Sequence, residues 1–373
     1  MAQYAERRGD AVDEEEDAVD FDIVQSGGVQ VEAGAWAGKS PLARFAHELK
    51  VLTARSWTTF RRQKLMLPLK LMQVFITAIL MICLFSPFGN YQVSVLNRSG
   101  CMYLLIIIQI FASVLSVVML FPEERGVYLT EQAARLYTVL PYFTSKLIID
   151  IPVLSLTMFA FSVLVYFPIG FQPAFSKFIL FFLVIEAVAI AGHGMGLIVA
   201  SVVSSPAMAA LVAPMVISPF ILFSRVAIPG DPDEKITPIM RPLQIFSPFF
   251  WGLDALMAVE FKGLRMQCAD EEVYAVPSIK YGILYICRFE HGEEVLENYM
   301  ISQDNYPLSF FMLCLIAVLA IGGSAVLLKV LSLRVASSVP MEPPSKKQRL
   351  REEQRAAAQQ SGELQMAETP YSR

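Results

Sequence analysis

Charged side chains are scarce in this sequence. Asp, Glu, Lys and Arg make up 17% of its 373 residues, whereas hydrophobic residues make up 55%. A soluble domain carries about 25% charged residues, so this composition argues against an ordinary soluble domain and against disorder of the whole chain. The net charge of -4 also lacks the basic excess that nucleic-acid binding requires. We therefore expect a lipid bilayer as the solvent and no nucleic-acid partner.

The sequence also lacks signatures of secretion and catalysis. Its five cysteines are too few for a disulfide scaffold, and its acidic N-terminus has no apolar signal-peptide core. Residues 33–40, AGAWAGKS, fit a permissive P-loop pattern, but no apolar strand precedes them and the chain then runs to the membrane. We expect no ATPase activity, catalytic residue, metal ligand or cofactor in this chain alone.

Long apolar segments dominate the rest of the sequence. A membrane-spanning helix needs about 20 predominantly apolar residues. Six segments meet this criterion, at about 66–86, 101–121, 146–168, 178–203, 207–225 and 308–330. Turn residues or charges separate them, for example at 122–125. The predicted fold class is an all-α polytopic membrane protein with six transmembrane helices.

Basic residues flank the predicted spans on one side. Arg61 and Arg62 precede the first span, Arg125 lies between the second and third, and Lys346 follows the sixth. Because short basic flanks resist translocation, both termini are predicted to be cytoplasmic. The predicted domains are an acidic disordered tail (1–40), a membrane domain (41–335) that contains a long external segment (226–306), and a disordered cytoplasmic tail (336–373).

Residues 41–64 have the pattern of an amphipathic helix. Leu42, Phe45, Leu49 and Leu52 recur at helical spacing, and basic residues accompany them. Such a helix lies along a membrane surface and does not cross it. We predict a surface helix immediately before the first span.

Two ionisable residues interrupt the fourth predicted span. Glu186 and His193 are seven residues apart and therefore share one helix face. A carboxylate near mid-membrane costs about 2.5–3.5 kcal/mol, so it is expected to face protein or water. Two interpretations of Glu186 stay open: a functional site, or a neutral side chain bonded to a neighbouring helix. For His193 we favour structural packing.

Several motifs occur together in a specific order. They are NRSG (97–100), ER (124–125), YFTSKL (142–147), SPFFWGLDAL (247–256) and EFKG (260–263). In this order and spacing, residues 41–335 resemble the ABC-2 type membrane domain of ATP-binding cassette exporters of the G subfamily, the white-like half-transporters.

This resemblance implies a substrate cavity and a gate. In the family, two six-span halves pair, and substrates occupy a cavity between spans two and five. Phe111 matches an aromatic residue of that cavity, Ile108 replaces a polar Asn, and Ser218 is assigned to the same cavity. Val226 and Ala227 stand where multidrug members carry a leucine pair that acts as a valve, which implies a smaller gate here.

The resemblance also implies the partners. Glu124, Arg125 and Glu131, between spans two and three, would couple to an ATP-binding domain. That domain, with its ATP and Mg²⁺, is expected on a separate subunit or on a part missing from this chain. The other expected partners are a second membrane half and the lipid bilayer.

The long external segment contains two cysteines. Cys268 and Cys287 both lie in 226–306, where the compartment permits a disulfide. The resemblance implies bonded cysteines here. We expect an intramolecular Cys268–Cys287 disulfide and a dimer without a covalent link.

The leading hypothesis is a membrane subunit for ATP-driven export of a hydrophobic or amphipathic substrate, such as a lipid, sterol, pigment precursor or xenobiotic. It would reside in the plasma membrane or an internal membrane. The first alternative is a lipid-acting membrane enzyme that uses Glu186 and His193 as acid and base. The second is a membrane scaffold without transport activity.

The surface-helix prediction can be tested by labelling. Lys50 lies in the middle of 41–64. In a Lys50→Cys variant, a membrane-impermeant thiol reagent should react from the cytoplasmic side, because the charges of the other five Lys and Arg residues in this segment could not be satisfied in hydrocarbon. Protection from that side together with labelling from outside would contradict the topology.

Overall fold

The computed structural model describes residues 40–85, 87–134, 136–224, 240–267, 274–278 and 282–338. Within them, the helices are α1 (Pro41–Arg62), α2 (Met66–Phe85), α3 (Gln92–Ala133), α4 (Val139–Ile169), α5 (Phe175–Val202), α6 (Pro206–Leu222), α7 (Met240–Ile245), α8 (Pro248–Phe261), α9 (Gly292–Asn298) and α10 (Tyr306–Ser338). Strands β1 (Tyr274–Ser278) and β2 (Gly282–Ile286) form an antiparallel hairpin, with Tyr274 opposite Ile286.

Five of these helices are long and apolar enough to cross a membrane: α2, Gln92–Pro122 of α3, α4, α5, and Tyr306–Leu333 of α10. Helix α6 has 17 residues. At 1.5 Å per residue it extends about 26 Å, less than the roughly 30 Å of a hydrocarbon core. The predicted all-α polytopic membrane class is confirmed. The sixth crossing predicted at 207–225 is not confirmed.

Helix α3 is longer than the sequence predicts. The predicted break at Pro122 is wrong, because the helix continues through this proline to Ala133 and has 42 residues. A proline removes one backbone donor from the helix, and water or neighbouring groups can satisfy the freed carbonyl at the edge of an apolar stretch. The helix also begins earlier than residue 101, at Gln92, so the NRSG segment is helical.

Helix α1 agrees with the amphipathic pattern of 41–64. The Ser40 hydroxyl accepts a hydrogen bond from the Ala43 amide, and Pro41 occupies the first turn, which suits the start of a helix. Leu52 is buried, whereas Leu42 and Trp57 are exposed. The helix packs mainly on α4. We call the part of the bundle beside α1 the α1 end.

Helix α5 is the centre of the bundle. It packs chiefly against α3 on one side and α10 on another, and most of its second half is buried. Gly192 permits the approach of α3, since a Cβ atom there would lie 3.1 Å from both Cα and O of Ile110. Small residues of this kind allow membrane helices to pack closely without a hydrophobic driving force.

Helix α8 is an unexpected part of the core. The sequence places it in the external segment 226–306, but nearly all of its residues are buried, and it packs against α3, α5 and α10. A predominantly apolar helix of 14 residues is too short for a span and is typical of a buried or re-entrant helix. The other predicted turns are close to their expected places: Gly170 ends α4 with φ +86°, and Ser205 caps α6.

A buried ion pair joins α8 to α3. The Arg98 guanidinium contacts the Glu260 carboxylate, and their side chains are 2% and 3% exposed. Arg98 Nη2 also donates to the Gly89 carbonyl at 3.3 Å and lies over the Phe88 ring. Gln172, in the α4–α5 turn, donates its backbone N–H to Glu260 Oε2 at 3.3 Å. These contacts connect three separate chain segments at what we call the Arg98 end.

This ion pair should dominate local stability. We expect Arg98→Met to lower the free energy of unfolding by about 3–5 kcal/mol, because Glu260 would remain buried without its cation. The double variant Arg98→Met/Glu260→Met should lose less than the two single variants together. Unfolding in mixed micelles provides the measurement, and Lys262→Met, which removes an exposed ion pair with Asp304, is the control. Additive losses in the double variant would contradict the expectation.

Candidate functional site

The residues predicted for the substrate cavity lie in different environments. Phe111 is half-buried and packs against the core, whereas Ser218 on α6 is exposed. Ile108 lines a small space of about 40 Å³ between α2, α3 and α4. Helices α3 and α6 do lie side by side, as the Tyr103 hydroxyl contact to the Ile221 carbonyl shows. The implied cavity lies between two halves, so one chain contributes only one wall, and these roles stay predictions.

Three predicted site residues fall outside the described part of the chain. They are Val226 and Ala227 of the gate and Cys268 of the predicted disulfide. Cys287 is disulfide-bonded, while Cys83, Cys101 and Cys314 are free thiols. The Cys268–Cys287 pairing and the gate therefore stay predictions.

A wide space lies at the α1 end. It measures about 260 Å³ and lies between α1, α2, α3 and α4. Six charged groups line it, three basic and three acidic: Arg55, Lys70, Lys146, Glu124, Glu131 and Asp150. Apolar and aromatic side chains such as Phe60 and Tyr142 complete the wall. We call this space the α1 cavity.

One ion-paired cluster connects α1 to the α3–α4 turn. Arg55 Nη1 lies 2.7 Å from Glu131 Oε1, and the Tyr137 hydroxyl donates to Glu131 Oε2 at 2.6 Å. Burial raises the pKa of the Tyr137 phenol, and the Glu131 carboxylate raises it further. Burial also raises the pKa of Tyr128 to about 12. Both phenols are therefore neutral near pH 7.

A second cluster lies deeper in the same cavity. Lys146 Nζ is 2.5 Å from Glu124 Oε2 and 3.4 Å from Asp150 Oδ2. His193 Nε2 of α5 lies 3.6 Å from the same Asp150 oxygen, too far for a hydrogen bond. Lys146 also stands 5.5 Å from the centre of the Phe121 ring. One lysine thus holds two carboxylates between α3 and α4.

The predicted coupling residues take part in these clusters. Glu124 and Glu131 are bound to basic groups of α4 and α1, and Arg125 donates weakly to the Val203 carbonyl after α5 at 3.4 Å. The cap of α4 adds another link, because Glu48 of α1 accepts hydrogen bonds from the Thr138 amide and hydroxyl at 3.0 and 2.8 Å. Helix α1 and the α3–α4 turn therefore form one connected unit.

The two intramembrane polar residues belong to separate groups. Glu186 Oε1 accepts a 2.5 Å hydrogen bond from the Ser155 hydroxyl of α4, while Oε2 has no partner among the described residues. Seven residues along α5 correspond to about 10.5 Å, so His193 is at a different depth. Glu186 and His193 face α4, yet they are not positioned as one acid/base pair.

Sequence reasoning missed several members of the α1 cavity. Lys70 and Asp150 are charged residues inside predicted spans, which is the same signal that drew attention to Glu186. Arg55 and Tyr137 could not be singled out, since only the fold brings α1 against the α3–α4 turn. The Arg98–Glu260 pair has its two members inside the NRSG and EFKG motifs, but their contact was not predicted.

Comparison with known proteins assigns the family. The family model described as ABC-2 type transporter matches residues 47–261, more than half of the chain. The chain belongs to the ABC-2 type transporter family. This ABC-2 domain comprises the elements that hold the α1 cavity, from α1 to α4, together with the central helices α5 and α8.

Curated relatives of this ABC-2 domain are transporters of the G subfamily. Protein white of Ceratitis capitata is 28% identical over 274 residues, which cover 73% of this chain and 38% of that protein. The broad substrate specificity ATP-binding cassette transporter ABCG2 of Sus scrofa is 25% identical over 291 residues, which cover 78% of this chain and 43% of that protein. ABC transporter G family member 3 of Dictyostelium discoideum is 25% identical over 277 residues, which cover 70% of this chain and 19% of that protein. The chain thus spans less than half of each relative, and the resemblance to the G subfamily is confirmed.

The cluster around Glu131 yields a stability prediction. Tyr137→Phe removes a hydrogen bond to a charged acceptor, so we expect the free energy of unfolding to fall by about 1.5–3 kcal/mol. Tyr91→Phe is the matched control, because the Tyr91 side chain is 49% exposed. Unfolding of both variants in mixed micelles provides the measurement. Equal stability of Tyr137→Phe and the parent protein would show that the bond contributes nothing.

Proposed function

We propose that this ABC-2 domain is the membrane part of an ATP-driven exporter. An ATP-binding domain would supply the energy, and a second membrane half would complete the transport path. The observation that supports this best is the connected unit of α1 and the α3–α4 turn, which holds Glu131 between Arg55 and Tyr137. A force applied to that turn would reach α1, α3 and α4 together.

The α3–α4 turn also offers a surface for an ATP-binding domain. Val127, Leu136 and Leu140 are 52%, 44% and 60% exposed and stand near the charged clusters. Large exposed apolar side chains in a turn and on the helices that flank it, next to charged groups, are typical of a protein contact. Closure of ATP-binding domains against this surface would tilt the helices. The substrate cavity would then open alternately to the two sides of the membrane, as in other hinge and shear transitions.

The substrate would be hydrophobic or amphipathic. Helices α3 and α6, which lie side by side, both expose large apolar residues: Leu115, Met119, Leu211 and Met215. Phe111 and Ser218 lie on these same two helices. A second half placed against this side would enclose a mainly apolar space, which favours lipids, sterols or similar molecules as cargo.

No observation favours the two alternatives. A lipid-acting enzyme needs several groups within hydrogen-bond reach of one reacting atom, and Glu186 and His193 are in separate groups. A scaffold without transport would be identified by the experiment below.

Reconstitution tests the proposal. The domain would be placed in vesicles with an ATP-binding domain of the G subfamily, either fused before residue 40 or added as a separate subunit, and export of a fluorescent lipid analogue would be followed. We expect ATP-dependent export, with none when ATP is omitted. ATP hydrolysis without lipid movement would support the scaffold alternative, and lipid conversion without ATP would support the enzyme.

In the same assay, we expect Phe111→Ala to change export per folded molecule several-fold, because it removes an aromatic wall from the proposed cavity. Phe175→Ala is the control, since Phe175 is 78% exposed at the start of α5. Quantified folded protein corrects for expression. Unchanged export by Phe111→Ala would indicate that the Phe111 side chain faces lipid or the protein core and does not contact the substrate.

A further inference from the structure

Lys70 of α2 is at the junction of three spaces. It lines the α1 cavity of about 260 Å³ and two smaller spaces of about 40 and 30 Å³ that extend along α3 and α4. The smaller spaces share Ser113, Ser116 and Leu154 with each other. Its ammonium group therefore stands where the wide, charged α1 cavity meets two narrow spaces, and the one of about 40 Å³ has no charged side chain other than Lys70.

Lys70 has no ion-pair or hydrogen-bond partner in the described part of the chain. The acids of the α1 cavity are already bound to other cations: Glu131 to Arg55, and Glu124 and Asp150 to Lys146. A half-buried ammonium without a partner is unfavourable, because it loses hydration and gains no compensating bond. An anion in the α1 cavity would find an available cation at this position.

A groove leads from Lys70 towards the bilayer. Helix α2 packs along α4 and touches α3 at only a few points. On the α3 side, the groove is lined by Ile108, Ala112 and Ser113, and the small side chains of the latter two leave space. The Ser113 hydroxyl is buried and has no hydrogen-bond partner among the described residues. The facing side of α2 exposes Gln73, so the groove is open laterally.

We propose that this junction binds a single-chain anionic amphiphile from the adjoining membrane leaflet. Its phosphate or carboxylate head would occupy the α1 cavity and pair with Lys70, and its chain would lie in the groove between α2 and α3. The narrowing from about 260 to about 40 Å³ leaves room for a head in the α1 cavity and for the first carbons of one chain in the groove, so the rest of the chain would extend into the bilayer. The site lies on the α2 side of α3, whereas the wall proposed for transport lies along α3 and α6; Ile108, which the resemblance assigns to the substrate cavity, lines this groove.

The test uses the purified chain in a neutral maltoside detergent, so it requires neither ATP nor a second half. Dodecyl phosphate is the probe, and native mass spectrometry gives the number bound and the dissociation constant. We expect one saturable site per chain. Lys70→Met should weaken binding at least about tenfold, because a charge-assisted bond is lost. Lys70→Arg should retain binding within about threefold.

Matched controls separate the head site from general surface charge. Lys64→Met removes an exposed lysine six residues before Lys70 and should leave the dissociation constant within about twofold. For the chain, Ala112→Phe should weaken dodecyl phosphate binding, whereas Leu96→Phe, at a 72% exposed position on the same helix, should not. Circular dichroism and size-exclusion profiles confirm that each variant is folded.

Three results would overturn the proposal. The first is the absence of a saturable site. The second is an equal loss of binding in Lys64→Met and Lys70→Met, which would indicate attraction to the basic surface. The third is inorganic phosphate binding as tightly as dodecyl phosphate, which would indicate a site for free anions. Failure of export in the reconstitution assay has no bearing on any of them.

Discussion

The buried pair of Arg98 and Glu260 is the interaction on which the arrangement of the helices depends most. Two opposite charges that are almost fully removed from water are costly to desolvate, and they are tolerated only when paired and hydrogen-bonded. Glu260 therefore requires α8 to enter the bundle and reach α3, and Gln172 brings the α4–α5 turn to the same point. Once α8 is held there, it provides a packing surface for both α5 and α10.

Charge is used differently at the two ends of the domain. At the Arg98 end, one closed pair fastens short segments together. At the α1 end, six charged groups surround a space, and one of them, Lys70, is left without a partner in the described residues. A closed pair specifies geometry, whereas an open network can rearrange when a neighbouring domain or a ligand contributes charge. This contrast makes the α1 end the more suitable place for regulation and energy transfer.

Much of this architecture was predictable from residues alone. Apolar length identified five crossing helices, and amphipathic spacing identified α1, because both signals are local along the chain. The continuation of α3 beyond Pro122 was not predictable, since the helix retains all but one of its hydrogen bonds there and the pattern shows only a break. Helix α8 was missed because a predominantly apolar segment of 14 residues is too short to indicate a membrane crossing. Clusters such as Arg55–Glu131–Tyr137 depend on contacts that only the tertiary fold creates.

The shortness of α6 has a consequence for the surrounding lipid. A 17-residue helix covers a hydrophobic thickness of about 26 Å, several ångströms less than an average bilayer core. If α6 crosses the membrane, lipids beside it must compress, or its flanking residues must reach towards the headgroups, at a cost of fractions of a kcal/mol per ångström of mismatch. A crossing α6 would therefore favour a thin bilayer on this side of the domain, and such a mismatch would also reward covering that side with another protein.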